Sequence, residues 1–541
     1  MKRIKLYICL LVGVFMTASC SDFLETFPKD SLSPSTTWKT EDDAQKFAIG
    51  CYDGWETGGT ILYLDCGSDF GYNNFEWENY KNIGNGAMTP SGNVANFYSF
   101  TMIRRCNLFF ENIDKIPFAN AQVKSDLMGQ VRTIRAYRYF VMNWMYGGVP
   151  IIDNYNSAEE ARVPRNTEEE VLKFVNEELD KAIGELNAVP AARGRIAKGG
   201  AMAIRMRSAL YYNDYAKAKE MAEAIMQLGQ YELEEDYSNL FKVSGQNSKE
   251  IILAVQYINS TKALGTIGQM YNNADGGWSS IVPTQNLIDT YEMADGLTKE
   301  ESSSYDPKYP FTNRDPRMEM TVMYPGMDWK GGVINTLDKT IDGNTNTNFP
   351  TSADNASKTG LTWRKYLDPM DQYANGIWGT NACPIVIRYA EVLLTYAETV
   401  NELTGPTADV YDKLDAIRER AGMPKVDRSK YATQEKLREL IRRERGVEFA
   451  GEGSRRPDIL RWKDAGGKVV AETVLNGVLE RVVGTINYSQ TEPTKRAVID
   501  PNAAATDKKI EDRVYRSHNR YLPIPQGAID NNPSLKQNEG Y

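Results

Sequence analysis

From Asn120 to Trp144, from Thr167 to Leu186 and again from Tyr389 onward, apolar side chains recur every three or four residues. This sustained helical period constrains the fold more than any other feature of the chain. In the second stretch Val171, Leu172, Val175, Leu179 and Ile183 share one face. The first stops at Gly147-Gly148-Val149-Pro150. Ala201 to Leu228 reads as a helical hairpin, with Ala209, Tyr212, Ala218, Ala222 and Ile225 at packing positions and Asn213-Asp214-Tyr215 as the turn. Further along, Tyr389, Val392, Leu393, Tyr396, Ala397 and Val400 form a continuous stripe that Gly405-Pro406 ends. Gly accepts the left-handed cap, and Pro cannot continue the hydrogen-bond ladder. Thr407 can cap the next helix, which buries Val410, Leu414, Ile417 and Ala421 and stops at Gly422. A last helix is predicted from about Thr433 to Ala450, with Leu437, Leu440, Ile441 and Val447 inward.

Small residues at the helix crossing and a turn at mid-repeat resemble a tetratricopeptide unit. The expected fold class is mainly α: a tetratricopeptide-like helical-hairpin scaffold over residues 36–260 and 384–465, carrying long irregular loops. Residues 260–383 are rich in Gly, Asn, Thr, Asp and Pro and hold no period, and 57–96 is a similar, shorter insert. Such stretches are usually functional or flexible, so ligand binding is expected on the loops. Residues 466–541 read as a C-terminal tail of the same single domain, 20–541.

Lys2, Arg3 and Lys5 precede an apolar run, Leu6 to Met16, and small residues lead to Cys20. This is an export signal, residues 1–19, and the run is too short to span a bilayer. A cysteine at the cleavage point reads as a bacterial lipoprotein site, with Cys20 lipidated; the alternative is an ordinary secreted protein with an incidental cysteine. Removing the signal's three cations moves the net charge from −9 to −12. An acidic body argues against nonspecific nucleic-acid binding and against a basic membrane patch. Membrane attachment is therefore expected through the N-terminal lipid alone. Cys51, Cys66, Cys106 and Cys383 remain, too few for a disulfide framework, and buried thiols are expected. With His518 as the single histidine, sites built on several imidazoles are excluded.

Several blocks together carry a resemblance. Near the start stand Cys20-Ser21-Asp22-Phe23-Leu24-Glu25, Trp38, Asp42-Asp43-Ala44 and Tyr52; then come Arg135-Ala136-Tyr137 and Tyr146-Gly147-Gly148-Val149-Pro150. Lys358-Thr359-Gly360 with Trp363-Arg364-Lys365-Tyr366 follows. More specific are Arg388-Tyr389-Ala390-Glu391, Glu444-Arg445 with Glu448-Phe449, and Glu452-Gly453 with Arg455, Asp458 and Arg461-Trp462. Leu522-Pro523-Ile524-Pro525, Asn532-Pro533 and Gln537-Asn538 close the chain. In these the chain resembles the SusD/RagB family of Bacteroidetes surface lipoproteins. Arg456-Pro457 departs from the aromatics usual there, which bears on local packing. The resemblance implies an outer-membrane, lipid-anchored, surface-exposed protein that captures an oligosaccharide and delivers it to a TonB-dependent (SusC-like) barrel, which it contacts through the helical-repeat face. It implies no catalysis and no cofactor. An oligopeptide ligand, or a surface glycoside hydrolase, are the alternatives.

Glu444, Arg445, Glu448, Glu452, Arg455, Asp458 and Arg461 alternate in sign around a helix end. Glu448 and Asp458 can be read as an acid/base pair, but arginine forks so close by favour an ion-pair network, since a general acid needs the opposite environment. Sugar rings present flat apolar faces rimmed by hydroxyls, so their binding calls for aromatic platforms beside polar groups. Two loops have that composition: Tyr72-Asn73-Asn74-Phe75-Glu76-Trp77-Glu78-Asn79-Tyr80 and Tyr271-Asn272-Asn273-Ala274-Asp275-Gly276-Gly277-Trp278. The candidate ligand residues are Tyr72, Asn73, Trp77, Tyr80, Tyr271, Asn273, Asp275 and Trp278, with Trp329 beside Gly331-Gly332; the alternative is that these rings anchor their own loops. Trp363 is read as structural. Asp342, Asn344, Asn346 and Asn348 hint at Ca²⁺, but Thr347 and Ala353 stand where a calcium loop needs Gly and Glu, so no metal site is expected. Gly84-Asn85-Gly86 lacks the context of a phosphate cradle.

Overall fold

Most of the longer helices begin where a side-chain oxygen takes a free backbone N–H. The computed structural model describes residues 38–152, 157 and 159–541. The expected export signal and Cys20 lie outside the described residues. The longer helices are α1 (Glu41–Gly50), α2 (Thr101–Asn112), α3 (Ala121–Tyr146), α4 (Glu168–Glu185), α5 (Lys198–Tyr211), α6 (Tyr215–Gln227), α7 (Tyr389–Thr404), α8 (Ala408–Arg420) and α9 (Gln434–Glu448). Asn120 caps α3, Asp214 α6, Thr407 α8 and Thr433 α9, while Thr167 and Glu170 form a reciprocal capping box on α4. Gly147, at φ +68°, closes α3, and Gly405 closes α7.

These helices stack in order: α2 on α3, α3 on α4, α4 on α5, α5 on α6. The array then continues from α6 directly onto α7, and α7 packs against α8 and α9. Two hairpin regions far apart in sequence thus form one mostly helical scaffold, as the tetratricopeptide-like reading expects. Its core includes Val131, Ile134, Val171, Val175, Ile204, Ala222, Val392, Leu414 and Leu437, all buried.

The chain leaves the array through strand β2 (Ile251–Ala254) and returns through β4 (Ile385–Arg388), and the two pair antiparallel. Val255 N–H donates to Pro384 C=O at 3.0 Å, so the ends of the intervening segment are clipped together. Inside the clip the aperiodic stretch is packed. Short helices (Thr266–Met270, Gln285–Thr290, Arg317–Thr321) and two-residue strand pairs such as Val322–Met323 with Thr362–Trp363 surround a second core. Tyr291, Tyr324 and Trp363 are at most 1% exposed within it. Elements of two to six residues are too short to display a period, so this order left no periodic trace. The calcium-like alternation is a hairpin: Thr340–Ile341 pairs with Asn344–Thr345 across Asp342-Gly343, both at positive φ, the turn that Asp-Gly favours. Asn346 spends its amide on Asn335 and Asp338 carbonyls.

The signed cluster around the end of α9 is a buried ion-pair network. Arg317 and Arg388 donate to Glu448 at 2.8 and 2.7 Å, and Arg420 donates to it as well. Asp458 accepts from Arg445 at 2.9 Å and from Arg461 at 2.7 Å. Burial alone would raise the Glu448 carboxyl, yet three guanidinium groups outweigh it and hold the group far below the usual carboxylate range. Such a carboxylate does not serve as a general acid. Arg456, the departure in this block, is buried and donates to the Gly67 and Asn519 carbonyls at 2.7 and 2.9 Å, fastening the turn to the N-terminal insert and to the tail. The four cysteines are buried thiols.

Candidate functional site: a row of exposed tryptophans

Strand β1 (Gly71–Asn73) pairs antiparallel with β3 (Ile281–Pro283), with Gly71 opposite Pro283 and Asn73 opposite Ile281. This pairing joins the two Asn/aromatic loops, which lie about two hundred residues apart in sequence. Asn74 N–H donates to Ser280 C=O at 2.8 Å, extending the register toward the loop tips. Each tip is a tight 3₁₀ turn closed by a left-handed residue: Glu76–Glu78 by Asn79 and Asn273–Asp275 by Gly276. Glu78 ties the loops together, accepting from Asn73 at 2.6 Å and from Gln269 at 3.2 Å. Burial raises its carboxyl above the usual range, against the lowering pull of the Ser280, Asn73 and Tyr63 side chains.

Trp77 and Trp278 project from the tips, 58% and 37% exposed, with ring centroids 6.1 Å apart and planes inclined by 72°. A third indole, Trp378, is 42% exposed and stands 4.8 Å from Trp278 at 57°. Phe75, half-buried, stacks on Trp77 at 5.6 Å. The result is a row, Phe75–Trp77–Trp278–Trp378, with three indoles open to solvent and each turned relative to the next. Trp378 was not among the sequence candidates. It stands alone between Asn375-Gly376 and Gly379, and its place depends on a contact with Gly268, in the short helix Thr266–Met270. A lone Trp framed by Asn and Gly in the aperiodic segment was the available signal.

The other candidates take different places. Tyr72 is buried against Val282 and Leu479, and Tyr271 is wholly buried, its hydroxyl donating to the Asp368 carbonyl. Neither offers a face to a ligand, so both are corrected from contact to anchoring positions. Asn73 is buried too, holding Glu78 and the Ser280 carbonyl. Tyr80 is half-buried with its ring stacked on Tyr63 at 4.8 Å. These four make the loops rigid, because an aromatic or amide flanking a turn gains more from packing than from projecting into water. Asn273 donates to Thr347 C=O at 3.0 Å, docking the loop on the segment after the 340–345 hairpin. Asp275 accepts from Trp329 Nε1 and from Lys330 Nζ, both at 2.7 Å. Trp329 is half-buried and meets Tyr271 at 6.4 Å, so Asp275 and Trp329 brace the flank of the row and do not extend it.

The sequence profile described as SusD family matches residues 249–541, and one described as starch-binding associating with outer membrane matches residues 22–208. SusD-like protein P25 of Formosa agariphila is 24% identical, with the match covering 100% of this chain and 99% of that protein. A SusD-like protein of Bacteroides ovatus is 23% identical over 96% of this chain and 95% of its own. Among solved structures, a SusD-like carbohydrate binding protein from Bacteroides fragilis superposes with a TM-score of 0.79 at 27% identity, covering 93% of this chain and 100% of that one. A laminarin binding SusD-like protein shares the fold, with a TM-score of 0.66 at 20% identity and coverage of 93% and 100%. This chain belongs to the SusD family.

Proposed function

We propose that the protein is a cell-surface glycan-binding lipoprotein that holds an oligosaccharide on the Trp77–Trp278–Trp378 row and passes it, unaltered, to a TonB-dependent outer-membrane transporter. The row of three open indoles carries this reading. Pyranose rings stack on indole faces through their C–H surfaces, and the mutual tilt of the three faces suits a chain whose successive rings turn. Glu76, next to Trp77 in the chain, and Lys330, tied to Asp275 on the flank, are exposed polar groups that can meet hydroxyls. Support comes also from the carbohydrate-binding relative, from the outer-membrane description of the matched profile, and from the sequence around Cys20.

Binding to a panel of neutral oligosaccharides and oligopeptides, measured by calorimetry, tests the reading. Trp77→Ala, Trp278→Ala and Trp378→Ala should each weaken binding by about 1–3 kcal/mol, on the order of 10- to 100-fold, with an unchanged melting temperature. Equal affinity in all three variants would remove the row from the site. Steady release of reducing ends from a bound glycan would replace capture by hydrolysis. Attachment is checked separately: Cys20→Ala should move the protein from the membrane fraction to the soluble one.

A further inference from the structure

The loop between α4 and α5 meets the start of the clipped segment at a cavity of about 560 Å³. That volume lies in the range of small-molecule sites. Arg193-Gly194-Arg195 forms one wall, Tyr257 and Lys262 another, and Tyr52 and Asp53 a third. Gly194 has φ +79°, and a Cβ there would come within 2.5 Å of Gln256, so glycine lets the turn lie close against that side chain with Arg193 and Arg195 both lining the cavity.

The charges in this cavity are not balanced as they are around α9. Arg193 donates to the neutral amide oxygen of Gln246 at 2.9 Å, and Arg195 to that of Gln130 at 3.1 Å. Among the described residues neither is in an ion pair with a carboxylate. The carboxylates nearby are occupied elsewhere. Asp53 pairs with Lys262, and Glu56 accepts from the Tyr137 hydroxyl and from Thr57 N–H at 2.5 and 2.7 Å. Asp126, behind the wall, accepts from Gln130 at 2.7 Å and from Asn187 N–H at 2.8 Å. The Arg195 guanidinium lies 5.4 Å from the centroid of the Tyr52 ring, which fixes its plane. In an acidic protein, two nearby guanidinium groups with neutral partners, in a ligand-sized cavity walled by tyrosines, form a receptor for an anionic group on a ring.

We propose that this cavity is a second binding site that takes an acidic sugar, its carboxylate or sulfate on Arg193 and Arg195 and its ring against Tyr257. This site does not rest on the tryptophan row. The purified protein is titrated with a galacturonate trisaccharide, a sulfated galactan oligosaccharide and neutral maltohexaose. An acidic probe, carboxylated or sulfated, should bind with an affinity that falls at least tenfold in Arg193→Gln/Arg195→Gln, weakens with added salt and is unchanged in Trp77→Ala. Which acidic probe responds identifies the anion. Equal binding of the acidic probes by the double variant would overturn the proposal, as would failure of both to bind the native protein. If the double variant does not fold, the structure of the native protein soaked with the galacturonate trisaccharide or the sulfated probe decides: sugar between Arg193 and Arg195 supports the site, and sugar only elsewhere, or none, refutes it.

Discussion

At Gly268 the missing side chain leaves the space that Trp378 fills: an added Cβ would come within 2.5 Å of the indole. Because Trp378 is largely open to solvent, the ring can swing away at small cost to stability but with loss of its place in the row. Gly268→Ala should therefore weaken glycan binding several-fold while lowering stability by only about 1 kcal/mol, as calorimetry and thermal melts would report. Glu448 presents the opposite case. It is fully buried and neutralised by Arg317, Arg388 and Arg420, so Glu448→Gln leaves guanidinium charge uncompensated in the interior. A loss of about 3–5 kcal/mol is expected in denaturant unfolding. Residue type alone did not separate Trp77 from Tyr271, since both stand in the same Asn-rich composition. What separates them is whether a neighbouring element covers the ring, and that is set by segments distant in sequence.

Among the elements, the β1–β3 pair matters most for the site, because it joins the two loops through paired backbone bonds. Gly71 lies in β1 with the Asp65 carbonyl 2.5 Å from where a Cβ would stand. Gly71→Val should displace the strand and lower both the melting temperature and the glycan affinity, unlike the tryptophan variants, which should lower affinity alone. The helix termini offer a milder test: Thr167→Ala breaks the capping box of α4 and should cost about 1 kcal/mol with no effect on binding. Caps and stops were legible because they act within four residues of their partners. Gly405, Thr407, Thr433 and the Asn213-Asp214 turn stand in the structure where the sequence places them. The segment 255–384 was legible only as a change of character, since its elements are short and its core is assembled from single residues of each.

For the molecule as a whole, the buried network makes stability depend on acid. Burial would raise Glu398, but Arg461 and Arg445 bring it down to about 2, and Glu444, Glu448 and Glu452 are lowered for the same reason. Groups depressed on folding contribute fully above their unfolded values, near 4.5, and lose that contribution as pH falls through the folded ones. Asp65 runs against them: burial raises it to about 6, so its ionisation costs stability as pH rises between 3.8 and 6. Burial raises Glu78 and Asp368 as well, yet the four carboxylates held down by buried cations leave a net loss of stability as pH drops from about 4.5 toward 2, which melting curves across that range would display. The sequence by itself determined the helical array, its caps and stops, the kinship and the type of side chain a sugar site needs, because periodicity, capping and composition are local properties. Only the tertiary structure decided which aromatic rings face water. That choice rests on one strand pair and one glycine contact, each closing a loop of more than a hundred residues, and no pattern of neighbours along the chain encodes such closures.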